Sequence, residues 1–174
     1  NLVLPDVKLT DLFALFEELH QYGLSTPNHG RATDIIACPG LDYCSLANAR
    51  AIPVAQRLSE RLHEIRAVHD LRDMHLNISG CINACGHHHV GAIGILGVDR
   101  RGEEFYQITL GGSAFEDASI GDIIGPAFAS DDVVEAVENI IRTYVNNREG
   151  EERFIDTYRR VGLKLFKEKL YGTD

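Results

Sequence analysis

Hydrophobic residues recur at helical spacing in three stretches of the chain, and each stretch predicts an amphipathic helix. The first has Thr10 or Asp11 near its start and Gly23 after its end. The second follows Cys44 and tolerates Pro53 in its first turn. The third begins at Ser130 or Asp131. The apolar positions of the three helices are Leu9, Leu12, Phe13, Phe16 and Leu19; Val54, Leu58, Leu62 and Ile65; and Val133, Val137, Ile140, Ile141 and Tyr144.

Strands are predicted where apolar runs are short or alternate with polar residues. Residues 34–37 (DIIA) form a short apolar run that predicts a buried strand, and residues 75–79 (HLNIS) alternate. Residues 91–98 and 105–110 predict a hairpin, whose turn lies around Asp99-Arg100-Arg101-Gly102.

The remaining segments complete the predicted architecture. Residues 111–130 are rich in glycine and predict a connection, while residues 151–170 predict one further helix or a pair of helices. Because strands, hairpins and helices are intermixed, the predicted fold class is α+β, a mixed sheet with flanking helices.

The composition excludes a disordered protein and a membrane-spanning protein. With 44% hydrophobic and 25% charged residues among its 174, the chain has the composition of a globular protein with room for one substantial core. No apolar run approaches the roughly 18 residues of a membrane-spanning helix. The net charge of −9 repels anions and argues against nucleic acid as a partner. Cations for an anionic substrate must therefore cluster locally or lie on another part of the protein.

The first residues and the cysteines suggest the context of the chain. Asn1–Pro5 contain neither an initiator Met nor a basic region, so we expect no signal peptide and interpret residues 1–174 as part of a longer chain. Four cysteines without a secretion signal favour a reducing, cytoplasmic compartment, where cysteines more often bind metal than form disulfides. Two disulfides remain the simpler alternative.

The spacing of the cysteines indicates a metal site but leaves its metal open. Cys38 and Cys44 are separated by five residues and Cys81 and Cys85 by three, and each pair follows a predicted strand in a turn with glycine. If the two strands are adjacent, turns at their ends would bring the four thiolates together. Zinc sites usually have two to four residues between paired ligands, and the ferredoxin and thioredoxin motifs are absent. An Fe–S cluster, zinc and unliganded cysteines all remain open on spacing alone.

Several segments resemble the siroheme-dependent sulfite and nitrite reductases. Residues 37–50 (ACPGLDYCSLANAR) and 77–97 (NISGCINACGHHHVGAIGILG) are similar to the paired cysteine signatures of that family. Residues 106–113 (YQITLGGS) and 151–166 (EERFIDTYRRVGLKLF) also resemble it, so the likeness covers nearly the whole chain.

The resemblance implies both cofactors. Cys38, Cys44, Cys81 and Cys85 would hold a 4Fe–4S cluster, and Cys85 would also be the axial ligand of the siroheme iron. The implied reaction is the six-electron reduction of sulfite to sulfide or of nitrite to ammonia. The segment that contains Cys38 and Cys44 looks closer to the sulfite branch, in particular to assimilatory sulfite reductase hemoproteins.

The resemblance also suggests siroheme contacts, each beside a structural alternative. Asn83 matches an asparagine next to siroheme, although asparagine is common in tight turns. His87 or His89 would lie at the siroheme edge or supply protons, the alternative being a structural histidine. Gly111 and Gly112 match the LGG of the family and would lie close to the cofactor, or simply end a strand.

The rest of the implied enzyme lies outside this chain. In the family the cations that bind substrate come from the N-terminal half, so we expect no catalytic residue here and no activity from the chain alone. That half would be a partner, as would an electron donor, either ferredoxin or an NADPH-dependent flavoprotein. Two other classes remain open: a non-catalytic Fe–S or zinc module, and a disulfide-stabilised structural domain.

Overall fold

A computed structural model describes residues 4–26, 28–66, 71 and 74–172. The helices are α1 (Leu12–Gln21), α2 (Ile52–Arg66), α3 (Val133–Asn147), α4 (Phe154–Val161) and α5 (Leu163–Tyr171). The strands are β1 (Ile36–Ala37), β2 (Leu76–Ser79), β3 (Ile93–Arg100), β4 (Glu103–Leu110), β5 (Asp122–Ile123) and β6 (Phe128–Ala129). Short 3-10 helices lie at Leu9–Asp11, Gly40–Asp42 and His88–Val90. This arrangement confirms the predicted α+β class.

The six strands form one mixed sheet. Its order is β1-β2-β3-β4-β5, and β6 pairs with the other half of β4. β1, β2 and β3 are parallel, whereas β3 and β4 form the predicted antiparallel hairpin. Arg101 and Gly102 connect the hairpin with φ angles of 59° and 87°, which a tight two-residue turn between twisted strands requires. The parallel order places the carboxyl ends of β1 and β2 side by side.

The predictions for residues 34–37, a buried strand, and 111–130, a connection, were wrong in detail. The segment 34–37 contributes only two residues to the sheet, and Ile36 is 49% exposed because β1 is an edge strand. All four residues of β2 are buried, since β2 lies between β1 and β3. The segment 111–130 is more than a connection, because it contains β5 and β6. Each has only two residues, too few for an alternating pattern to be visible.

The hydrophobic core lies between one face of the sheet and the helices. The apolar residues predicted for α2 and α3 are buried there, which confirms both helices and the face that each one turns inward. The sheet contributes Leu76, Ile78, Ile93, Ile95, Ile108 and Leu110 to the same cluster. Of the two alternatives predicted for residues 151–170, one helix or a pair, the structure has the pair, with a break at Gly162. Within the described residues, no helix combines the length and hydrophobicity needed to cross a bilayer.

A network of hydrogen bonds fixes the connection between α3 and α4. Arg160 donates to both carboxylate oxygens of Glu152, at 2.8 and 2.6 Å, and to the carbonyl oxygen of Asn147 at 2.7 Å. The hydroxyl of Tyr144 donates to the carbonyl oxygen of Glu152 at 2.6 Å. The bonds from Arg160 and from the backbone N–H of Glu149 lower the pKa of Glu152 from 4.5 to about 2.

Replacing Glu152 by glutamine is expected to lower the thermal stability of the chain in a pH-dependent manner. Because the folded-state pKa lies below the ordinary value, the carboxylate stabilises the fold fully above about pH 4.5 and loses this effect as the pH falls through about 2. Unfolding midpoints of the wild type and Glu152→Gln should therefore differ most near neutral pH and converge in acid. A difference that stayed constant from pH 7 to pH 2.5 would contradict this prediction.

Candidate metal centre

The two cysteine pairs lie next to each other at the ends of β1 and β2. Ala37 pairs with Ile78 in the sheet, so Cys38 leaves β1 beside the residues that lead from β2 to Cys81. The backbone N–H of Cys38 donates to the carbonyl oxygen of Ile78 at 3.0 Å. The backbone N–H of Gly80 donates to the Cys38 Sγ, also at 3.0 Å. The structure thus brings both predicted motifs to one edge of the sheet.

The first cysteine turn (residues 38–50) packs directly on the second cysteine turn (residues 80–87), and glycine makes this close approach possible. The carbonyl oxygen of Gly80 accepts from the backbone N–H groups of Asn48 and Ala49, at 2.8 and 3.0 Å. A Cβ atom at Gly80 would lie 2.6 Å from the carbonyl oxygen of Ala49 and 2.9 Å from the Cα of Gly40. Because both neighbours are backbone atoms, a larger residue at position 80 would push the two turns apart.

The second cysteine turn folds back onto β2 through two buried polar side chains. The Oγ of Ser79 accepts from the backbone N–H of Gly86 at 3.1 Å. The Nδ2 of Asn77 donates to the carbonyl oxygens of Gly86 and His87, at 3.0 and 3.2 Å. Sequence reasoning did not assign these roles to Asn77 and Ser79. The available signal was the presence of polar residues at inner positions of a predicted strand.

The four cysteines differ in their exposure to solvent. All are free thiols; Cys81 is buried, Cys38 and Cys44 are partly buried, and Cys85 is exposed. In the part of the chain that the structure describes, no three His, Cys, Asp or Glu side chains are gathered around a point that would hold one metal ion. Four cysteines form the usual ligand set of a 4Fe–4S cluster, and backbone N–H donors such as that of Gly80 are typical partners of its thiolates. The donor set fits such a cluster.

The other predicted cofactor residues lie in two places. Asn83 and His87 are exposed and belong to the second cysteine turn, where His87 has a positive φ of 52°. His88 is buried, and burial, with a smaller contribution from His89, lowers its pKa. Its Nδ1 has no hydrogen-bond partner among the described residues.

Gly111 and Gly112 have clear structural reasons to be glycine. Gly111 has a positive φ of 86°, and the ring of Tyr158 occupies the space that a side chain there would need. A Cβ at Gly112 would lie 2.5 Å from the carbonyl oxygen of Gly91. Gly112 therefore packs on the segment that follows the second cysteine turn, and its assignment to cofactor binding stays a prediction.

Comparisons with known proteins agree with this geometry. Residues 30–173 match the family described as nitrite and sulphite reductase 4Fe-4S domain. The sulfite reductase (NADPH) hemoprotein beta-component of Bacillus licheniformis is 29% identical over 178 aligned positions, which cover 100% of this chain and 30% of the relative. The sulfite reductase (ferredoxin) of Mycobacterium tuberculosis is 33% identical over 162 positions, 87% of this chain and 28% of the relative.

Solved structures show the same similarity. The NirA protein of Mycobacterium tuberculosis matches with a TM-score of 0.75 and 30% identity, over 95% of this chain and 31% of that protein. Dissimilatory sulfite reductase I shares the fold, with a TM-score of 0.74 at 15% identity, over 97% of this chain and 59% of that protein. The chain spans about 30% of the length of the curated relatives that it matches. By its matched residues and its paired cysteine turns, the chain belongs to the nitrite and sulphite reductase 4Fe-4S domain family.

Proposed function

We propose that Cys38, Cys44, Cys81 and Cys85 hold a 4Fe–4S cluster. The observation that carries this proposal is the hydrogen bond from the Gly80 N–H to the Cys38 Sγ, because it links the two cysteine turns at a ligand atom. A zinc site or an electron-transfer module without siroheme would use the same four thiols. A disulfide-stabilised domain would need two bonds among cysteines that are all free here.

Cys85 is proposed as the thiolate that also binds the siroheme iron. It is the exposed member of the set, whereas Cys81 is buried, so its sulfur is open to a second group outside the chain. Asn83 and His87 lie on the same turn and are exposed, which supports our proposal that they contact siroheme. Gly111 and Gly112 are proposed to lie near it through their packing on α4 and on the segment that follows the second cysteine turn.

The function best supported is that of the cluster-binding, C-terminal portion of a sulfite reductase. The relatives at 29–33% identity are sulfite reductases, which favours sulfite over the second candidate, nitrite. When bound, the cluster and siroheme would supply the electron-transfer chemistry for reduction of sulfite to sulfide. The residues of this chain ligate the cluster, orient the cysteine turns and shield one side of the site from water. Free thiols at the site fit a reducing compartment such as the cytoplasm.

Further protein is proposed to cover two exposed apolar surfaces. All ten residues of α1 are described and none is buried, although the helix carries an apolar face. Large apolar side chains of the cysteine turns are exposed as well. Because the relatives are about three times as long as this chain, the N-terminal half of such a protein is the partner that we assign to these surfaces. The exposed residues are Leu9, Leu12, Phe13 and Phe16 in the first surface and Leu41, Tyr43, Leu46 and Ile82 in the second.

The electron donor is proposed from the names of the relatives. One is a ferredoxin-dependent and another an NADPH-dependent sulfite reductase, so a ferredoxin or a flavoprotein would supply electrons to the cluster. The substrate cations are assigned to the N-terminal half. The arginines Arg50, Arg61, Arg153, Arg159 and Arg160 of this chain all form ion pairs with its own carboxylates, which supports that assignment.

Anaerobic reconstitution with iron and sulfide tests the proposed cluster. We expect about four iron and four sulfide per chain, broad visible absorption and, after reduction, the EPR signal of a 4Fe–4S centre. The matched control is a variant with all four cysteines changed to serine, which should bind neither. Stoichiometric zinc binding with no iron uptake would contradict the proposal.

Assays of the reconstituted chain with reduced viologen test its proposed place in a longer enzyme. We expect no reduction of sulfite or nitrite, because we assign the substrate cations and the rest of the siroheme pocket to the N-terminal half. The longer protein with both cofactors should turn over within the usual range of enzymes, on the order of 1–1000 per second, with sulfite preferred to nitrite. Turnover by the chain alone would place the substrate site within residues 1–174.

A further inference from the structure

A carboxylate on the hairpin connects to the first cysteine turn at several points. Glu104 lies in β4, 54 residues after Arg50, which ends the turn. Its Oε2 accepts from the backbone N–H of Arg50 at 2.6 Å, and its Oε1 forms an ion pair with the Arg50 guanidinium. The Nε of Arg50 donates in addition to Asp42, which lies between the two cysteines of the turn, at 3.2 Å. One carboxylate therefore holds both the backbone and the side chain of Arg50.

The hydroxyl of Tyr106 completes this network from the buried side of the hairpin. Its single hydrogen is shared between the carbonyl oxygen of Arg50, at 2.9 Å from the hydroxyl oxygen, and the Oε2 of Glu104, at 3.1 Å. Tyr106 is 1% exposed, and burial together with Glu104 raises its pKa to about 12. The hydroxyl therefore remains a donor throughout the physiological pH range.

The first cysteine turn is consequently held from two sides. Toward β2 it is bonded to Gly80, through Asn48 and Ala49. Toward β4 it is bonded to Glu104 and Tyr106, through Arg50. An exposed ion pair alone contributes little, and the Arg50 side chain is 54% exposed. Here, however, both backbone polar groups of Arg50 are also bonded, so the network constrains the path of the chain itself.

We propose that Glu104, with Arg50 and Tyr106, is a positioning group for the cluster: it holds the turn that carries Cys38 and Cys44 in the geometry that the cluster requires. This inference rests on the proposed 4Fe–4S cluster. Residues that orient ligands in this way strongly affect metal retention, and their loss typically costs roughly 10- to 100-fold in affinity. The sequence pattern does not identify Glu104 as a positioning residue, because its role depends on a contact with Arg50, 54 residues earlier in the chain.

The network should also influence the electronic state of the cluster. Glu104 and Asp42 are two negative charges near the turn, and Arg50 offsets one of them. Removing the Glu104 carboxylate makes the surroundings more positive and should raise the reduction potential. Removing the Arg50 guanidinium makes them more negative and should lower it. Both variants loosen the turn, so a purely structural role would give no such opposite shifts.

The test compares cluster release and reduction potential in the reconstituted protein. Glu104→Ala is expected to lose its cluster to an iron chelator roughly 10- to 100-fold faster than the wild type. Glu104→Gln, which keeps one acceptor, should lie between the two. The matched control is Glu138→Ala, because Glu138 accepts from Arg61 and Arg142 between α2 and α3 and is more buried than Glu104. Release from this control should stay within about twofold of the wild type, because Arg61, the α2 partner of Glu138, lies nine residues, roughly 14 Å, beyond Ile52 at the start of that helix.

The outcomes separate this inference from the proposed function. A wild-type chain that takes up no cluster would overturn the proposed function itself. If the wild type binds the cluster and Glu104→Ala releases it at the rate of Glu138→Ala, the positioning role is wrong. Should Glu104→Ala fail to fold, Tyr106→Phe decides, because it removes only one hydroxyl and should speed release roughly two- to tenfold. Release from Tyr106→Phe at the wild-type rate would overturn the inference.

Discussion

Replacing Gly80 by alanine is expected to abolish stable cluster binding while the helices remain folded. The added methyl group would lie 2.6 Å from the carbonyl oxygen of Ala49 and 2.9 Å from the Cα of Gly40. Overpacking usually costs about 1–3 kcal/mol, and here the neighbours are backbone atoms of the first cysteine turn. Relief therefore requires that the two turns separate, which breaks the contacts from Gly80 to Cys38 and Ala49. Iron content after reconstitution and the far-ultraviolet circular dichroism spectrum measure the two effects.

The matched control for this substitution is Gly150→Ala. Gly150 follows α3 with a φ of 58°, and the space around its missing Cβ is open. Alanine there should cost about 1–2 kcal/mol through backbone strain alone and should leave iron binding unchanged. If Gly80→Ala took up the full complement of iron, the close packing of the two turns would not be necessary for the site.

Elements with a long hydrophobic period could be predicted from the sequence, and short edge elements could not. The apolar positions of α2 and α3 repeat over four turns and proved to be buried, because each helix has one face against the sheet. β1, by contrast, has two residues, and its apolar composition suggested burial. Its exposure depends on its place at the edge of the sheet, a property of the topology that no local pattern contains.

The same distinction applies to the candidate site. The cysteine turns were predictable because both follow strands, and neighbouring parallel strands end at the same edge. The groups that hold these turns were not, since Glu104 reaches Arg50 only after the hairpin has formed. α1 shows the reverse situation. Its helical period was evident, but its apolar face is exposed among the described residues, and the protein that we propose to cover it cannot be inferred from a local pattern.

The four cysteines differ in solvent exposure, and this difference indicates which thiolate can also bind siroheme. Cys81 is buried beside Gly80, and Cys38 is partly buried with its sulfur bonded to the Gly80 N–H. Cys85 is exposed at the end of a turn in which Ala84 has a positive φ of 56°. A thiolate at this exposed position is able to contact a second group.

In the longer protein carrying both cofactors, Cys85→Ser and Cys38→Ser are therefore expected to have different effects on the siroheme. Either change should weaken the cluster, because a 4Fe–4S centre normally takes four cysteine ligands. Only Cys85→Ser should also alter the visible spectrum of the siroheme directly and abolish sulfite reduction in molecules that retain iron and sulfide. Cys38→Ser should disturb the siroheme only in proportion to cluster loss, since its sulfur faces Gly80. Spectra, iron content and turnover measured on the same samples distinguish the two patterns. If Cys85→Ser kept the normal coupling between cluster and siroheme, the bridging role would have to move to another cysteine, first of all to Cys81.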